Sequence, residues 1–308
     1  MWTNATITTL ERNPIYGERK VLTEAEARRL ESGNAARVQR ANAATKDGTK
    51  VDELPSCGGG QNGPACGYNN FWVDPGTKVI RIGAEARTSI IVEPKDGRLP
   101  LNPATRARIA AAQGNARVGN FDGPERRPLG ERCLVGFGST SGPPMLPVLY
   151  NNHYQILQTG REVMIQIEMV HDMRLIRLEP GHAPGSVRKW MGDSAARWEG
   201  ETLVVETANF RPDQTFRGAS ADMRVTERFT RISPTQLLYQ FEVLDPATFT
   251  QPVVGELAWN LTKDQIYEYA CHEGNYALPG ILAGARQKEK EAAEAKPVGP
   301  AKAKPGAD

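Results

Sequence analysis

Two short segments combine a histidine with a carboxylate, a pairing that suits proton transfer. One segment holds His272 and Glu273 directly after Cys271, and the other holds His171 followed by Asp172. An imidazole with a pKa of about 6.5 can act as a general acid or base at neutral pH. We therefore predict His171 as a catalytic base oriented by Asp172, and His272 beside Glu273 as its partner acid.

Both segments also admit a purely structural interpretation. His171 and Asp172 suit a hydrogen-bonded turn, and His272 could satisfy buried backbone groups beside a disulfide. The catalytic interpretation requires the two imidazoles to face one cavity, although they lie far apart in the chain.

Four further residues are predicted to contact a substrate. Tyr150 and Asn151 follow a Gly- and Pro-rich connection, and such side chains suit hydroxyl-rich or aromatic ligands, although asparagine is also common in turns. Arg174 and Arg217 could anchor an anionic substrate or stabilise an oxyanion, although arginines more often pair with surface carboxylates.

Other chemistries find little support in the sequence. There is no GxSxG nucleophile motif and no Walker or Rossmann glycine pattern, so we expect no cofactor. The four histidines are scattered, with no HxH or HxxxH spacing. A metal site, which needs three or four converging ligands, stays an alternative only if Glu268 or Asp172 completes a set.

The cysteines are Cys57, Cys66, Cys133 and Cys271. An even count fits two disulfides, one closing the glycine-rich loop between Cys57 and Cys66, and the other joining Cys133 to Cys271. Free thiols and a metal site are the alternatives. Two disulfides would indicate an oxidising compartment.

The composition excludes several classes of protein. The chain has 308 residues, 39% apolar and 24% charged, with a net charge of +2. That charge is too small to indicate a nucleic-acid surface, and no apolar run approaches the roughly 20 residues that cross a bilayer. The expected partner is a small-molecule ligand or substrate, and an oligomer remains possible.

The elements that must position these residues are mainly strands. Thr23 and Glu26 form a capping box that opens a helix, within a helical arm over about residues 22–45, and a second helix is predicted from Pro103 to Ala112. The predicted strands include Lys78–Arg81, Arg87–Glu93, Tyr154–Thr159, Glu162–Met169, Met173–Leu178, Leu203–Thr207, Met223–Ile232, Gln236–Leu244, Val253–Leu261 and Ile266–Ala270, with a further short one at Phe71–Val73.

Strands in this order favour an antiparallel up-and-down barrel, calycin- or lipocalin-like, or a curled sheet, with a two-sheet sandwich as the alternative. We predict a single β-rich domain over residues 1–285, with the barrel over about residues 71–275, and a partly disordered charged extension over residues 286–308. Glu227 and Glu242 fall on adjacent strands. They would be paired acids if both faced inward, but we expect Glu227 to face solvent.

Several longer motifs resemble a large family of secreted bacterial proteins. The resemblance implies an export signal ahead of Trp2 and a periplasmic or secreted setting, and it implies no particular reaction. It covers nearly all of residues 2–290. The motifs that carry it are Trp2–Thr6 (WTNAT), Arg87–Val92, Glu131–Cys133, Tyr150–Asn152, Trp190–Ser194, Arg197–Thr207 (RWEGETLVVET) and Tyr267–Tyr276 (YEYACHEGNY).

The sequence thus predicts a cofactor-independent acid–base enzyme, a lyase, isomerase or hydrolase, acting on a small organic molecule in a barrel cavity. The alternative is a non-catalytic periplasmic carrier of a lipophile, which would need an apolar interior. A structural module of the cell envelope is a third possibility.

Overall fold

The computed structural model describes residues 1–41, 75–116, 121–136 and 142–294. Three helices stand in these ranges: α1 (Glu24–Ala41), α2 (Pro103–Ala116) and α3 (Ala277–Glu294). The strands are β1 (Trp2–Thr3), β2 (Val21–Leu22), β3 (Arg81–Ile82), β4 (Glu85–Arg87), β5 (Ile91–Glu93), β6 (His153–Gln158), β7 (Glu162–Ile167), β8 (Met173–Arg177), β9 (Asp193–Glu199), β10 (Thr202–Ala208), β11 (Arg224–Ser233), β12 (Gln236–Leu244) and β13 (Val253–Leu261).

Nine of these strands close into a barrel, which confirms the predicted mainly β fold. The order is β1-β6-β7-β8-β9-β10-β11-β12-β13, and the two-residue strand β1 closes the ring by pairing with both β6 and β13. Strand β5 pairs with the first part of β13, at Val254 and Gly255, as a tenth member of the sheet.

The barrel departs from a purely antiparallel order at one pair, because β8 and β9 run parallel. A parallel pair needs a long crossover connection, and residues 178–192 provide it. The sequence did not predict β9 or β1. The predicted strand Ile266–Ala270 is wrong, since this segment has no strand pairing.

The predicted capping box is confirmed at the start of α1. The Thr23 Oγ1 accepts from the backbone N–H of Glu26 at 3.3 Å, and the Glu26 carboxylate accepts from the N–H of Thr23 at 2.8 Å. Helix α1 contacts the small sheet β2-β4-β3, and Ala27 joins Leu22 in a minor apolar cluster there. The second predicted helix extends beyond its expected end, to Ala116.

Aromatic rings fill the interior of the barrel. The Tyr154 and Trp259 rings stack with centroids 4.3 Å apart, and Tyr239 and Phe229 pack against Trp259 at 5.5 and 5.6 Å. Tyr154, Trp259 and Tyr239 are fully buried. Burial of this much apolar surface is the main contribution to the stability of the fold.

None of the helices in the described ranges has the length and apolarity needed to cross a membrane. The predicted strand Phe71–Val73 and the loop between Cys57 and Cys66 lie outside the described residues.

Candidate functional site

A groove of about 750 Å³ opens on the outer face of the barrel, beside the pairing of β1 with β6. We call it the histidine groove. Its lining includes Tyr150, Asn151, His153, Glu168, Asp264 and Tyr269.

A hydrogen-bonded dyad of His153 and Glu168 lies in the wall of this groove. The His153 Nδ1 is 2.8 Å from the Glu168 Oε2. An ionised carboxylate only accepts hydrogen bonds, so Nδ1 is the donor and Nε2 is the nitrogen that gains or loses a proton. The side chains are 21% and 3% exposed, respectively. The carboxylate is thus sealed while the imidazole reaches the groove.

The register of the β6–β7 hairpin produces this dyad. Tyr154 lies opposite Ile167. In the next pair away from the turn, the backbone N–H of Glu168 donates to the carbonyl of His153 at 3.0 Å. Side chains alternate between the faces of a strand. Because Tyr154 faces the interior, His153 faces outward.

Asp264 lies on the opposite side of the imidazole, with its Oδ2 3.6 Å from the His153 Nε2. The hydrogen bond to Glu168 raises the pKa of His153 despite the opposing effect of burial, and attraction by Glu168 and Asp264 adds to the rise. The hydrogen bond from Thr262, supported by the charge of His153, lowers the pKa of Asp264. The site therefore favours an imidazolium flanked by two carboxylates.

The segment over residues 266–270 forms another wall of the groove. The Tyr269 ring stacks on Tyr150 with centroids 6.3 Å apart. The Glu168 Oε1 accepts from the N–H of Tyr267 at 3.3 Å, so the carboxylate that orients His153 also holds this segment. A disulfide between Cys133 and Cys271, with Cα atoms 5.7 Å apart, fixes its end and confirms the predicted long-range pair.

Carboxylates dominate the charge of the groove. Glu131 is paired with Arg127 at 2.8 Å and Glu168 with His153, but Asp264 and Glu268 stay exposed on the lining. Among the lining residues in the described chain there is no lysine or arginine. The groove therefore suits neutral or cationic molecules, in contrast to the anionic substrate expected from the arginines.

His171 and Asp172 are not among the described residues that line the groove. The exposed His171 ends a short 3-10 helix over Met169–His171, and its Nε2 accepts from the N–H of Tyr269 at 3.1 Å. The Asp172 Oδ2 accepts from the N–H of Gly136 at 3.3 Å. Both side chains fix neighbouring backbone.

His272 and Glu273 lie in an exposed turn that follows Cys271. Cys271 lines the groove, but neither His272 nor Glu273 is among the lining residues that the structure describes. The two imidazoles predicted as a pair thus both stand outside the set of groove-lining side chains. Tyr150 and Asn151, in contrast, do line the groove.

Arg174 points into the barrel, where it forms an ion pair with Glu227. Their side chains are 2% and 0% exposed. Arg174 also donates to Ser194 at 3.2 Å and to Thr207 at 3.0 Å, and Tyr239 donates to Glu227 at 2.8 Å. Burial disfavours the charged guanidinium, but attraction by Glu227 outweighs it and raises the pKa of Arg174. Arg174 is therefore closed off from any solute.

The prediction that Glu227 faces solvent is wrong. Its side chain points from β11 into the barrel, whereas Glu242 on β12 is exposed. The two carboxylates are therefore not paired acids. Arg217, the remaining predicted contact, lies in the wall of a different groove.

No protein-family model, curated protein or solved structure matches this chain. The resemblance drawn from the sequence motifs therefore stays a prediction. Within the described residues, no group of three or more His, Cys, Asp or Glu side chains is placed to hold a metal ion.

The sequence analysis missed His153, although the signal was present. The predicted strands Tyr154–Thr159 and Glu162–Met169 are separated by only Gly160 and Arg161, which makes them a hairpin with a tight turn. Counting outward from that turn places His153 opposite Glu168. The register of a predicted hairpin is thus a better guide to this dyad than adjacency of His and Asp in the sequence.

Proposed function

We propose that the histidine groove catalyses a proton-transfer reaction, namely an elimination, an isomerisation or a hydrolysis, on a small neutral or cationic organic molecule. The observation that carries this proposal is the His153–Glu168 dyad, with a sealed carboxylate behind an imidazole that opens onto a groove of about 750 Å³. The acid–base role predicted for His171 and His272 is thereby moved to His153.

Each member of the dyad has a distinct role in this proposal. Glu168 fixes the tautomer and the ring orientation of His153, so that Nε2 alone exchanges protons with a bound molecule. Its raised pKa favours the protonated form of His153, which in this proposal acts as the general acid and becomes a base after it releases its proton.

The lining favours direct proton transfer over covalent catalysis. It includes no serine among the described residues, and its cysteine, Cys271, is held in a disulfide. The hydroxyl oxygen of Thr3 already accepts from the N–H of Ala5 at 3.2 Å. A water molecule or the substrate itself is therefore the group that His153 protonates or deprotonates.

Tyr150, Tyr269 and Asn151 are the proposed binding residues. The stacked tyrosine rings offer an aromatic surface, and the asparagine amide offers a donor and an acceptor. Asp264 and Glu268 bias the groove against anions. A molecule with an aromatic or hydroxyl-rich body fits this lining best.

The Cys133–Cys271 disulfide supports a periplasmic or secreted setting, because structural disulfides persist in oxidising compartments. Fractionation of the native host checks this. Recovery of the protein in the cytoplasm with both thiols reduced would contradict it.

The test is a screen of neutral, cationic and anionic esters, lactones and hydroxycarbonyl compounds, followed by NMR in deuterated water to detect proton exchange or product. For a compound that turns over, we expect His153→Gln to lower kcat/KM by about 10²-fold or more. Glu168→Gln should lower it less and shift the limb of the pH profile that reports His153 to lower pH.

His182→Gln is the matched control for this test. The His182 imidazole is 20% exposed and lies 3.5 Å from Asp193, so it resembles His153 in burial and partner, but it is away from the groove lining. Equal activity in His153→Gln and His182→Gln would refute the proposal. A compound that binds the groove and is always recovered unchanged would instead indicate a carrier.

A lipophile carrier has less support, because the barrel interior holds aromatic rings and the Arg174–Glu227 ion pair. An apolar molecule would have to displace both.

A further inference from the structure

A second groove, of about 590 Å³, lies on another side of Tyr150. We call it the arginine groove. Its wall is largely apolar, and the side chains that matter here are Leu10, Ile90, Leu146, Leu149, Met169 and Arg217. Leu149 is 54% exposed, so a large aliphatic side chain faces water within this groove.

The charge of this groove is the reverse of that in the histidine groove. Arg217 is the one charged residue among its described lining residues. Its exposed guanidinium makes no ion pair or hydrogen bond with any residue that the structure describes. A guanidinium without a protein partner beside apolar surface can pair with an external anion.

The other polar side chains of this groove are already engaged. The Thr6 hydroxyl donates to the carbonyl of Lys78 at 2.8 Å, and the Thr9 hydroxyl donates to that of Glu11 at 2.7 Å. The Thr8 hydroxyl accepts from the N–H of Ile80 at 2.8 Å. Arg217 therefore offers the largest unused set of hydrogen-bond donors among the described lining residues.

The backbone presents Arg217 from a rigid turn. Its φ of 48° lies in the left-handed region, which a residue with a Cβ adopts only where its surroundings enforce it. The buried ring of Phe216 precedes it, and the carbonyl of Gly218 accepts from Arg108 at 2.6 Å. Two residues further on, Ser220 donates to Asp245. The backbone turn that carries Arg217 is thus fixed before any ligand arrives.

We propose that the arginine groove binds a small carboxylate that carries an apolar chain. Arg217 pairs with the carboxylate through two parallel N–H donors, and the chain covers Leu149 and its apolar neighbours. This site does not depend on the reaction proposed for the histidine groove, since His153 and Glu168 are not in its lining.

The test is calorimetric titration of the full-length protein with decanoate below its micelle concentration, alongside decanol and decyltrimethylammonium. We expect decanoate to bind at least about tenfold more tightly than either analogue, in line with the strength of a charge-assisted hydrogen bond. Octanoate, with two methylenes fewer, should bind about tenfold more weakly than decanoate.

Arg217→Gln should abolish the preference for decanoate over decanol, and Leu149→Asp should weaken decanoate binding at least as much. Arg161→Gln is the matched control, because Arg161 is an exposed arginine on the β6–β7 turn and is not among the residues of this lining. Failure of the wild-type protein to bind decanoate at millimolar concentration would overturn the proposal. Equal binding by Arg217→Gln, Arg161→Gln and the wild type would do the same.

Discussion

Two buried glutamates define two regions of this molecule with opposite properties. In the barrel, Glu227 is 0% exposed and its partner Arg174 is 2% exposed. At the outer groove, Glu168 is 3% exposed, but its partner His153 is 21% exposed. Both carboxylates are sealed by the fold, so the partner decides what each pair can do.

The Arg174–Glu227 pair in the barrel is buried, and its arginine does not exchange its proton at physiological pH. A guanidinium stays protonated at any physiological pH, and Arg174 directs its donors to Glu227, Ser194 and Thr207. The groove pair leaves the His153 Nε2 at a groove open to water, on a side chain that can gain and lose a proton. A sealed pair stabilises the fold, whereas a half-open pair with a titratable partner can exchange protons.

The largest expected effect comes from breaking the barrel pair. Glu227→Gln leaves the Arg174 charge buried without a counter-charge, and we expect a loss of about 3–5 kcal/mol in the free energy of unfolding. Urea denaturation followed by circular dichroism measures it.

The control is Glu206→Gln at the exposed Arg197–Glu206 pair, whose side chains are 54% and 49% exposed. That change should cost about 1 kcal/mol or less. The double replacement Arg174→Met with Glu227→Leu should be less destabilising than Glu227→Gln alone, because it leaves no buried charge. If Glu227→Gln lowers the free energy of unfolding no more than Glu206→Gln does, the conclusion that the Arg174–Glu227 pair is sealed from solvent is wrong.

A smaller effect is expected from removing the disulfide. Replacing Cys133 and Cys271 by alanine removes a disulfide between residues 138 positions apart. Such a disulfide contributes about 2–4 kcal/mol to the free energy of unfolding. We expect hydrogen exchange to accelerate over residues 266–276, on the groove side, while β10–β12 stay protected. Uniform acceleration in both regions would show that the disulfide does not act on the groove.

The His153–Glu168 pair should make the stability of the folded protein depend on pH. The pKa of His153 is raised in the folded state. The stability that this side chain gives the fold is therefore fully present below its pKa in the unfolded chain, about 6.5, and is lost as the pH rises through its pKa in the folded protein. The stability difference between wild type and His153→Gln should therefore shrink as the pH rises above about 6.5. Urea denaturation over a pH series measures this, and a difference that grows with pH would have the wrong sign.

Most of the barrel could be predicted from the sequence because its strands alternate clearly. Strand β9 (Asp193–Glu199) was missed because its inward positions Ser194 and Ala196 are small or polar, which gives a weak apolar signal. Strand β1 has only two residues, and its pairing with β6 and β13 is a property of the closed ring. The segment Ile266–Ala270 alternates like a strand, yet side chains of the groove hold it instead.

The candidate site was harder to predict because it depends on register and on inward or outward orientation. Tyr150 and Asn151 were predicted as substrate contacts because they follow a long Gly- and Pro-rich connection, and both line the histidine groove. His171 was preferred over His153 because a carboxylate follows it directly in the sequence. The decisive partner of His153 is instead 15 residues away across a hairpin.

NMR titration of the His153 imidazole tests most directly whether Glu168 holds its proton. The imidazole signal is assigned by its absence in His153→Gln and is followed over pH in the wild type and in Glu168→Gln. We predict that the wild-type pKa lies above the usual value of about 6.5, with the proton retained on Nδ1, and that Glu168→Gln lowers it. A wild-type His153 that titrates at or below about 6.5 and does not respond to Glu168→Gln would contradict the account.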